Sequence, residues 1–215
     1  MKKLLAVLLA AAMLFSFAAC GGSKEELDND VEKTTEAPVE AVKLSRGAIT
    51  GDAYSNEFLG VTFTKPADWV YLSDKEIAET INIGQDALDF TDFELALAEQ
   101  STIYDMVAKD ELYGNNIMVC FENTEISGGR EITAEEYGSI LKSNLEGQTA
   151  LNYTFENEGK AYLGDTEFIR TVFTAESNGT TLKQAYYIRC VGKYAMTVIV
   201  TLTNIDITEA EAMFS

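Results

Sequence analysis

The chain of 215 residues contains no histidine. Histidine is the usual proton carrier at neutral pH, the base in serine and cysteine nucleophile systems, and a common zinc ligand. Its absence argues against these catalytic and metal-dependent mechanisms. We therefore predict a non-catalytic protein without a cofactor and without a metal site.

Cysteine is also scarce, with three residues in the chain. Cys120 and Cys190 each lie inside an apolar, strand-like run, which predicts two buried thiols in the folded protein. A single disulfide between them stays open, because the sequence does not give the distance that a bridge requires. The third cysteine, Cys20, has a different setting.

Cys20 directly follows an N-terminal segment with two lysines and an apolar run over residues 4–19. Such a segment is typical of a secretory signal peptide. The four residues that end at Cys20, Phe-Ala-Ala-Cys, resemble the lipobox of bacterial lipoproteins of the Gram-positive type, with phenylalanine where leucine is usual. The resemblance implies a signal peptide over residues 1–19, a lipid on Cys20 and a place at the outer face of the cell membrane. The alternatives are an ordinary secretory peptide with a chance cysteine, or an uncleaved anchor.

Positive charge is the next deficit of the chain. Removal of the signal peptide leaves 14 basic and 35 acidic residues, a net charge of −21. Nucleic acids and anionic headgroups are repelled by this charge. Residues 28–30 (Asp-Asn-Asp) lack the glycine and the distal glutamate of a calcium loop. The predicted partners are the membrane, reached through the lipid anchor, and a protein of the cell envelope, but no nucleic acid.

The charge and apolar patterns divide the chain into three parts. Residues 20–51 have no aromatic side chain and no apolar periodicity, so they predict a flexible acidic tether with a reach of about 30 Å. Residues 52–215 predict one folded domain. A capped helix that begins at Thr208 reaches barely two turns before Ser215, which leaves open that the sequence continues.

Capping boxes and hairpin signals define the elements of that domain. The Ser/Thr-x-x-Glu pattern predicts helix starts at Ser73, Thr91, Thr133 and Thr208. Alternating runs predict a hairpin over residues 103–122 and a four-strand meander over residues 151–203, with Asn-Gly at 178–179 as one of its turns. Strands joined by tight turns are antiparallel, and the intervening helices must cover the sheet. The predicted fold class is α+β, with an antiparallel sheet flanked by helices on both faces as an α/β/α sandwich.

The opening of the domain carries a family resemblance. Residues 54–69 contain Leu-Gly-Val-Thr-Phe and then Pro-Ala-Asp-Trp. They resemble the opening hairpin of PsbP-like proteins, which follow a Leu-Gly-hydrophobic-x-Phe…Pro-x-x-Trp pattern. The resemblance implies an accessory, mostly non-enzymatic role. The metal-associated histidines of PsbP have no counterpart in this chain. The one tryptophan, Trp69, is predicted to be a core residue rather than an exposed stacking platform.

A basic strip follows from strand register. If residues 178–179 form a two-residue turn, Arg170 lies opposite Tyr187, and Phe168 lies opposite Arg189. Lys183 shares their face of the sheet. The strip is a candidate site for an anionic ligand or a partner's carboxylate. The competing interpretation pairs both arginines with acids of a covering helix.

These features predict a lipid-anchored extracytoplasmic binding or accessory module. An alternative of another class is a histidine-free hydrolase that uses two carboxylates on cell-surface or dietary glycans. A solute-binding component of a transporter needs two lobes, and this chain is short for that architecture.

Overall fold

In the computed structural model, the described residues are 43–81, 93–148, 152–177 and 180–215. The predicted signal peptide, Cys20 and the tether up to residue 42 lie outside the described residues. So do Thr91, the predicted start of the second helix, and the predicted turn residues 178–179.

A seven-stranded antiparallel sheet forms the centre of the described structure. Its strands are β4 (Trp69–Tyr71), β5 (Thr102–Asp110), β6 (Asn116–Asn123), β7 (Asn152–Leu163), β8 (Thr166–Ser177), β9 (Thr180–Val191) and β10 (Tyr194–Leu202). Their order in the sheet is β4-β5-β6-β10-β9-β8-β7, so the last four strands form a meander whose final strand, β10, pairs with β6.

A second, smaller sheet is built from the start of the domain. It contains β1 (Ala48–Thr50), β2 (Ala53–Asn56) and β3 (Val61–Thr64), in that order. The C-terminal residues extend it, because Ser215 and Thr62 exchange two backbone hydrogen bonds of 2.9 Å. The predicted opening hairpin is thus present, and Trp69 beyond it belongs to the main sheet.

Five helices lie in the described residues. They are α1 (Asp74–Ile81), α2 (Phe93–Gln100), α3 (Thr124–Gly128), α4 (Ala134–Glu146) and α5 (Ile207–Glu211). In the described part of the chain, none of these helices is long and apolar enough to cross a membrane.

The two faces of the main sheet are covered by different elements. Alternate residues of a strand point to opposite faces. One face, here called the hairpin face, carries Arg170, Tyr187 and Arg189, and it is covered by the small sheet, α2 and α5. The other, here called the helix face, carries Thr171 and Tyr186 and is covered by α4. Helices on both faces of an antiparallel sheet confirm the predicted α+β class.

The helix starts agree with the capping predictions at two places. Thr133 and Glu136 form a complete capping box, and Ser73 and Glu76 exchange the same pair of hydrogen bonds. The prediction for Thr208 is wrong. Asp206 caps α5 instead and accepts from the backbone N–H of Glu209, since its carboxylate outcompetes a hydroxyl two residues later.

The folded domain also begins earlier than residue 52. Leu44 is buried, and the Arg46 guanidinium bonds to Asp74 at 2.5 Å and to Asp105 at 3.2 Å. The predicted boundary of the tether at residue 51 is therefore corrected. Residues 43–51 have no periodicity of their own, and partners far along the chain order them.

The core includes the residues predicted to fill it. Trp69 is 5% exposed, which agrees with a structural role. Cys120 is buried as predicted, whereas Cys190 is half-buried at the edge of the core, and both thiols are free. The predicted register of the meander is confirmed, because Arg170 pairs with Tyr187.

Candidate functional site

A groove of about 500 Å³ lies between the start of α4 and strands β7 to β9. Its apolar lining includes Ile169, Ile188 and Cys190. Its charged side chains are those of Glu131, Glu135, Glu136, Glu167 and Lys160. We call it the helix–sheet groove.

A local capping arrangement fixes the helix side of this groove. The Thr133 N–H donates to the Glu136 carboxylate at 3.0 Å, and the Arg130 guanidinium donates to both of its oxygens at 3.2 and 3.1 Å. The bonds from Arg130, and then that from Thr133, lower the pKa of Glu136. This carboxylate is consequently a fixed negative charge at neutral pH.

Beside the groove, α4 approaches the sheet closely at Gly138. Gly138 lies on the buried side of α4, one residue after Tyr137. A Cβ at this position would stand 2.9 Å from a carboxylate oxygen of Glu158 and 3.2 Å from the Thr171 hydroxyl. Glycine therefore lets α4 lie against β7 and β8.

The sheet side of the groove carries an exposed ion pair. Lys160 Nζ donates to Glu167 at 2.8 Å, and the Tyr162 hydroxyl donates to the other oxygen of Glu167 at 2.8 Å. These bonds lower the pKa of Glu167, and the same ion pair raises the pKa of Lys160. Glu167 is thus also held ionised.

Two further acids of the groove, Glu131 and Glu135, are exposed and form no ion pair among the described residues. With Glu136 and Glu167 already ionised, the rim of the groove is negative. A negative rim around an apolar lining suits a ligand that joins a positive group to an apolar one.

The cysteine in this groove is not an activated nucleophile. Burial raises the pKa of Cys190 to about 12, and the charges of Glu135, Glu122 and Glu136 add to the rise. A thiol with this pKa is protonated at neutral pH, and it contributes apolar surface to the lining.

A buried carboxyl lies under α4 on the helix face. Glu122 is 2% exposed and accepts a 2.7 Å hydrogen bond from the Tyr137 hydroxyl. Its Oε1 has no hydrogen-bond partner among the described residues. Burial raises the pKa of Glu122, although the neighbouring Ser127 and Tyr137 hydroxyls counter part of that rise. No described group of three or more carboxylate or thiol side chains is arranged to hold a metal ion.

The structure brings two of the four predicted binding residues together. Glu211 of α5 accepts from the Arg170 guanidinium at 2.7 Å and from the Tyr187 hydroxyl at 2.8 Å, on the hairpin face. Burial and the bond to Glu211 raise the pKa of Tyr187 well above its usual value. This is the competing interpretation of the strip, in which a helix covers it and an acid neutralises it.

The other two predicted residues lie apart from this cluster. Arg189 donates to the carbonyl oxygens of Leu59 and Phe58 at 2.9 and 3.3 Å, so it ties β9 to the small sheet. Lys183 pairs with Glu156 at 3.2 Å. No single anion pocket joins the four residues. Arg189 is the one of the four that borders the helix–sheet groove, and its guanidinium lies on the opposite face of the sheet.

The groove residues were missed by sequence reasoning for a definable reason. Thr133 and Glu136 carry a local capping signal, which fixed the start of α4 but not its place on the sheet. The closeness of Lys160 and Glu167 follows from the β7–β8 hairpin, where Lys160 pairs with Ile169. The alternation of residues 160–167 could have predicted that Lys160 and Glu167 lie close together. No pattern in the sequence predicts where α4 crosses β7 to β9.

These features define an α+β protein with an antiparallel sheet, helices on both faces and an acidic groove on one of them. No family model and no curated protein matches the sequence. Among solved structures, the chain is similar to cyanobacterial PsbP (CyanoP) from Synechocystis, with a TM-score of 0.45 and 12% sequence identity. The match covers 83% of this chain and 97% of that chain. It is also similar to a protein from Bacteroides thetaiotaomicron, with a TM-score of 0.39, 13% identity, and coverage of 72% and 44%. These likenesses concern architecture alone.

Proposed function

We propose that the protein is a lipid-anchored, extracytoplasmic binding module that holds its ligand in the helix–sheet groove without catalysis. The observation that carries this proposal is the lining of the groove, in which apolar side chains such as Ile169 and Ile188 lie beside exposed carboxylates. Glu136 and Glu167 have lowered pKa values, set by cationic and hydrogen-bonding neighbours. Such groups are permanent charges, which suit recognition of a cation and do not donate protons at neutral pH.

The ligand class follows from the lining of the groove. The rim offers carboxylates, of which Glu131 and Glu135 form no ion pair in the described structure. The interior offers aliphatic surface from Ile169 and Ile188. A ligand with an ammonium or guanidinium group next to an apolar segment complements both parts, as in a basic peptide.

The hydrolase alternative requires a carboxylic acid whose pKa is raised and that faces a cleft. Among the described residues, raised carboxyl pKa values occur at Asp105 and Glu122. Asp105 is buried against the small sheet, where it accepts from Tyr54 and Arg46, and Glu122 is buried under α4. This distribution favours binding over glycan hydrolysis.

A binding measurement tests the groove. The probe is a short peptide of alternating lysine and leucine, titrated into the mature full-length protein in detergent. Replacement of both free rim acids, Glu131→Gln with Glu135→Gln, is expected to weaken binding about tenfold and to reduce its salt dependence. The matched control is Glu57→Gln with Glu79→Gln, which removes two exposed acids outside the groove lining. Equal losses in both double variants would contradict the groove as the site.

Cell fractionation tests the anchor. Cys20→Ala is expected to release the protein from the membrane fraction, because two acyl chains give stable anchoring at about 0.8 kcal/mol per buried methylene. Cys190→Ala is the control and is expected to stay with the membrane. Retention of the Cys20→Ala protein would indicate an uncleaved helix instead of a lipid. Activity of the purified protein on cell-wall glycans would favour the hydrolase.

A further inference from the structure

The turn between β5 and β6 displays two large apolar side chains to solvent. Leu112 is 74% exposed and Tyr113 is 60% exposed, the highest values among the large apolar residues of the described structure. We call residues 111–114 the apolar tip.

A buried carboxylate holds the backbone of the apolar tip. Asp110, 3% exposed, accepts from the N–H groups of Leu112 at 2.7 Å and of Tyr113 at 2.6 Å with one oxygen. Gly114 follows with a φ of 85°, a conformation that glycine adopts without strain. The two apolar side chains therefore project from an ordered backbone.

A second polar residue ties the apolar tip to the body of the sheet. The Asn115 amide donates to Asp110 and to Asn204, both at 2.5 Å. Its oxygen accepts from the Thr203 N–H at 2.8 Å, and the Thr203 hydroxyl donates to the Tyr113 carbonyl at 2.9 Å. This network joins the tip to the end of β10.

Three exposed acidic residues lie in the apolar tip or next in sequence to the segments that hold it. Glu111 belongs to it, Asp68 precedes the strand that pairs with Asp110, and Asp206 follows Asn204 by two residues. Glu111, Asp68 and Asp206 are exposed and form no ion pair within the described residues.

We propose that the apolar tip is a docking element for a protein partner whose apolar pocket is edged by lysine and arginine. The ordered backbone lowers the entropy cost of ordering this turn on binding, and tyrosine is a frequent centre of binding energy in interfaces. The acids next to the tip favour a basic partner. The same acids repel anionic headgroups and a second copy of this chain.

The apolar tip is independent of the helix–sheet groove. The tip adjoins Asn116 at one end of β6. Glu122, at the other end, aligns through Ala195 of β10 with Cys190, which lines the groove. The six steps from Asn116 to Glu122 span about 20 Å at 3.3 Å per residue. Both surfaces can be occupied together, and the failure of either proposal leaves the other standing.

Photocrosslinking in the native cells tests the apolar tip. A photoreactive p-benzoylphenylalanine replaces Tyr113 in the full chain, and a matched control carries it at Ile126, an apolar residue that is 50% exposed. The expected result is one protein adduct at position 113 that is absent at 126 and maps by mass spectrometry to a lysine- or arginine-edged surface. Leu112→Ser and Glu111→Lys are each expected to reduce the adduct about tenfold.

Other results overturn the proposal. These are a lipid adduct, an adduct between two copies of this chain, equal adducts at both positions, or no adduct. Binding of the protein without its lipid to vesicles of phosphatidylglycerol and phosphatidylcholine would also overturn it. Asp110→Ala loosens the backbone beneath the same side chains and is expected to reduce the adduct. If Asp110→Ala does not fold, Leu112→Ser decides between the outcomes. Circular dichroism is used to check that this variant has the same fold as the parent protein.

Discussion

Each face of the main sheet carries an ion pair, and the two pairs differ in how exposed they are to solvent. On the hairpin face, the side chains of Arg170 and Glu211 are 27% and 23% exposed. At the groove on the helix face, those of Lys160 and Glu167 are 67% and 44% exposed. A largely covered pair holds elements together, whereas an exposed pair contributes little stability and leaves its charge available to a ligand.

The largest effect is expected from the apolar core of the hairpin face. Trp69 pairs with Asp110 and is buried, so Trp69→Ala is expected to cost about 3–5 kcal/mol in the free energy of unfolding. The adjacent Val70 points to the other side of the strand and is 36% exposed. Val70→Ala is therefore the matched control, with an expected cost of about 0.5 kcal/mol or less. Urea denaturation measures both, and equal stabilities would show that Trp69 is not a core residue.

The covered ion pair gives the next largest effect. Arg170→Ala strands Glu211 beside Tyr187, and it is expected to cost about 1–3 kcal/mol. Addition of Glu211→Gln is expected to restore part of the loss, because the stranded charge is then removed. Thermal denaturation of the single and double variants gives the coupling. A fully stable Arg170→Ala protein that lost a ligand would instead support the basic strip as a site.

Local signals predicted most of the elements of this fold. The alternation of residues 181–203 and the capping box at Thr133 fixed their elements almost to the residue. Order in residues 43–51 could not be predicted, because it depends on Arg46 meeting Asp74 and Asp105, which are 28 and 59 residues away. Local pattern carries no information on such contacts.

The candidate site was harder to predict than the fold. Strand register correctly placed Arg170 opposite Tyr187, but it did not show that α5 would supply Glu211 to both. The cap assigned to Thr208 would have used Glu211 in the first turn of the helix. The helix begins earlier, at Ile207, and this frees Glu211 for the sheet.

A smaller effect is expected from the buried carboxyl of the helix face. Because burial raises the folded-state pKa of Glu122, the folded protein binds this proton more tightly than the unfolded chain. Its stability contribution is complete below the unfolded pKa, about 4.3, and is lost as the pH rises through the folded value. Glu122→Gln does not titrate, so it is expected to be more stable than the parent protein by roughly 1 kcal/mol at pH 8.

The pH dependence provides the check on Glu122. Melting temperatures of the two proteins between pH 5 and pH 8 are expected to diverge as the pH rises. Tyr137→Phe, which removes the hydroxyl donor to Glu122, is expected to destabilise the protein more at pH 8 than at pH 5. A constant difference between Glu122→Gln and the parent protein would show that this carboxyl does not titrate differently on folding.

The smallest effect on stability is expected at the groove rim, and it completes the contrast between the faces. Lys160→Ala breaks an exposed ion pair with Glu167, and the melting temperature is expected to stay within about 2 °C of the parent value. Loss of this cation makes the rim more negative, so the lysine–leucine peptide is expected to bind a few-fold more tightly at low salt. Arg130→Ala is also expected to strengthen binding of this peptide, because Glu136 keeps its bond from Thr133 and its negative charge.

If Lys160→Ala destabilised the protein as much as Arg170→Ala, the groove pair would be structural and the two faces would not differ. If peptide binding stayed the same while stability was also unchanged, the rim charge would not act on this ligand.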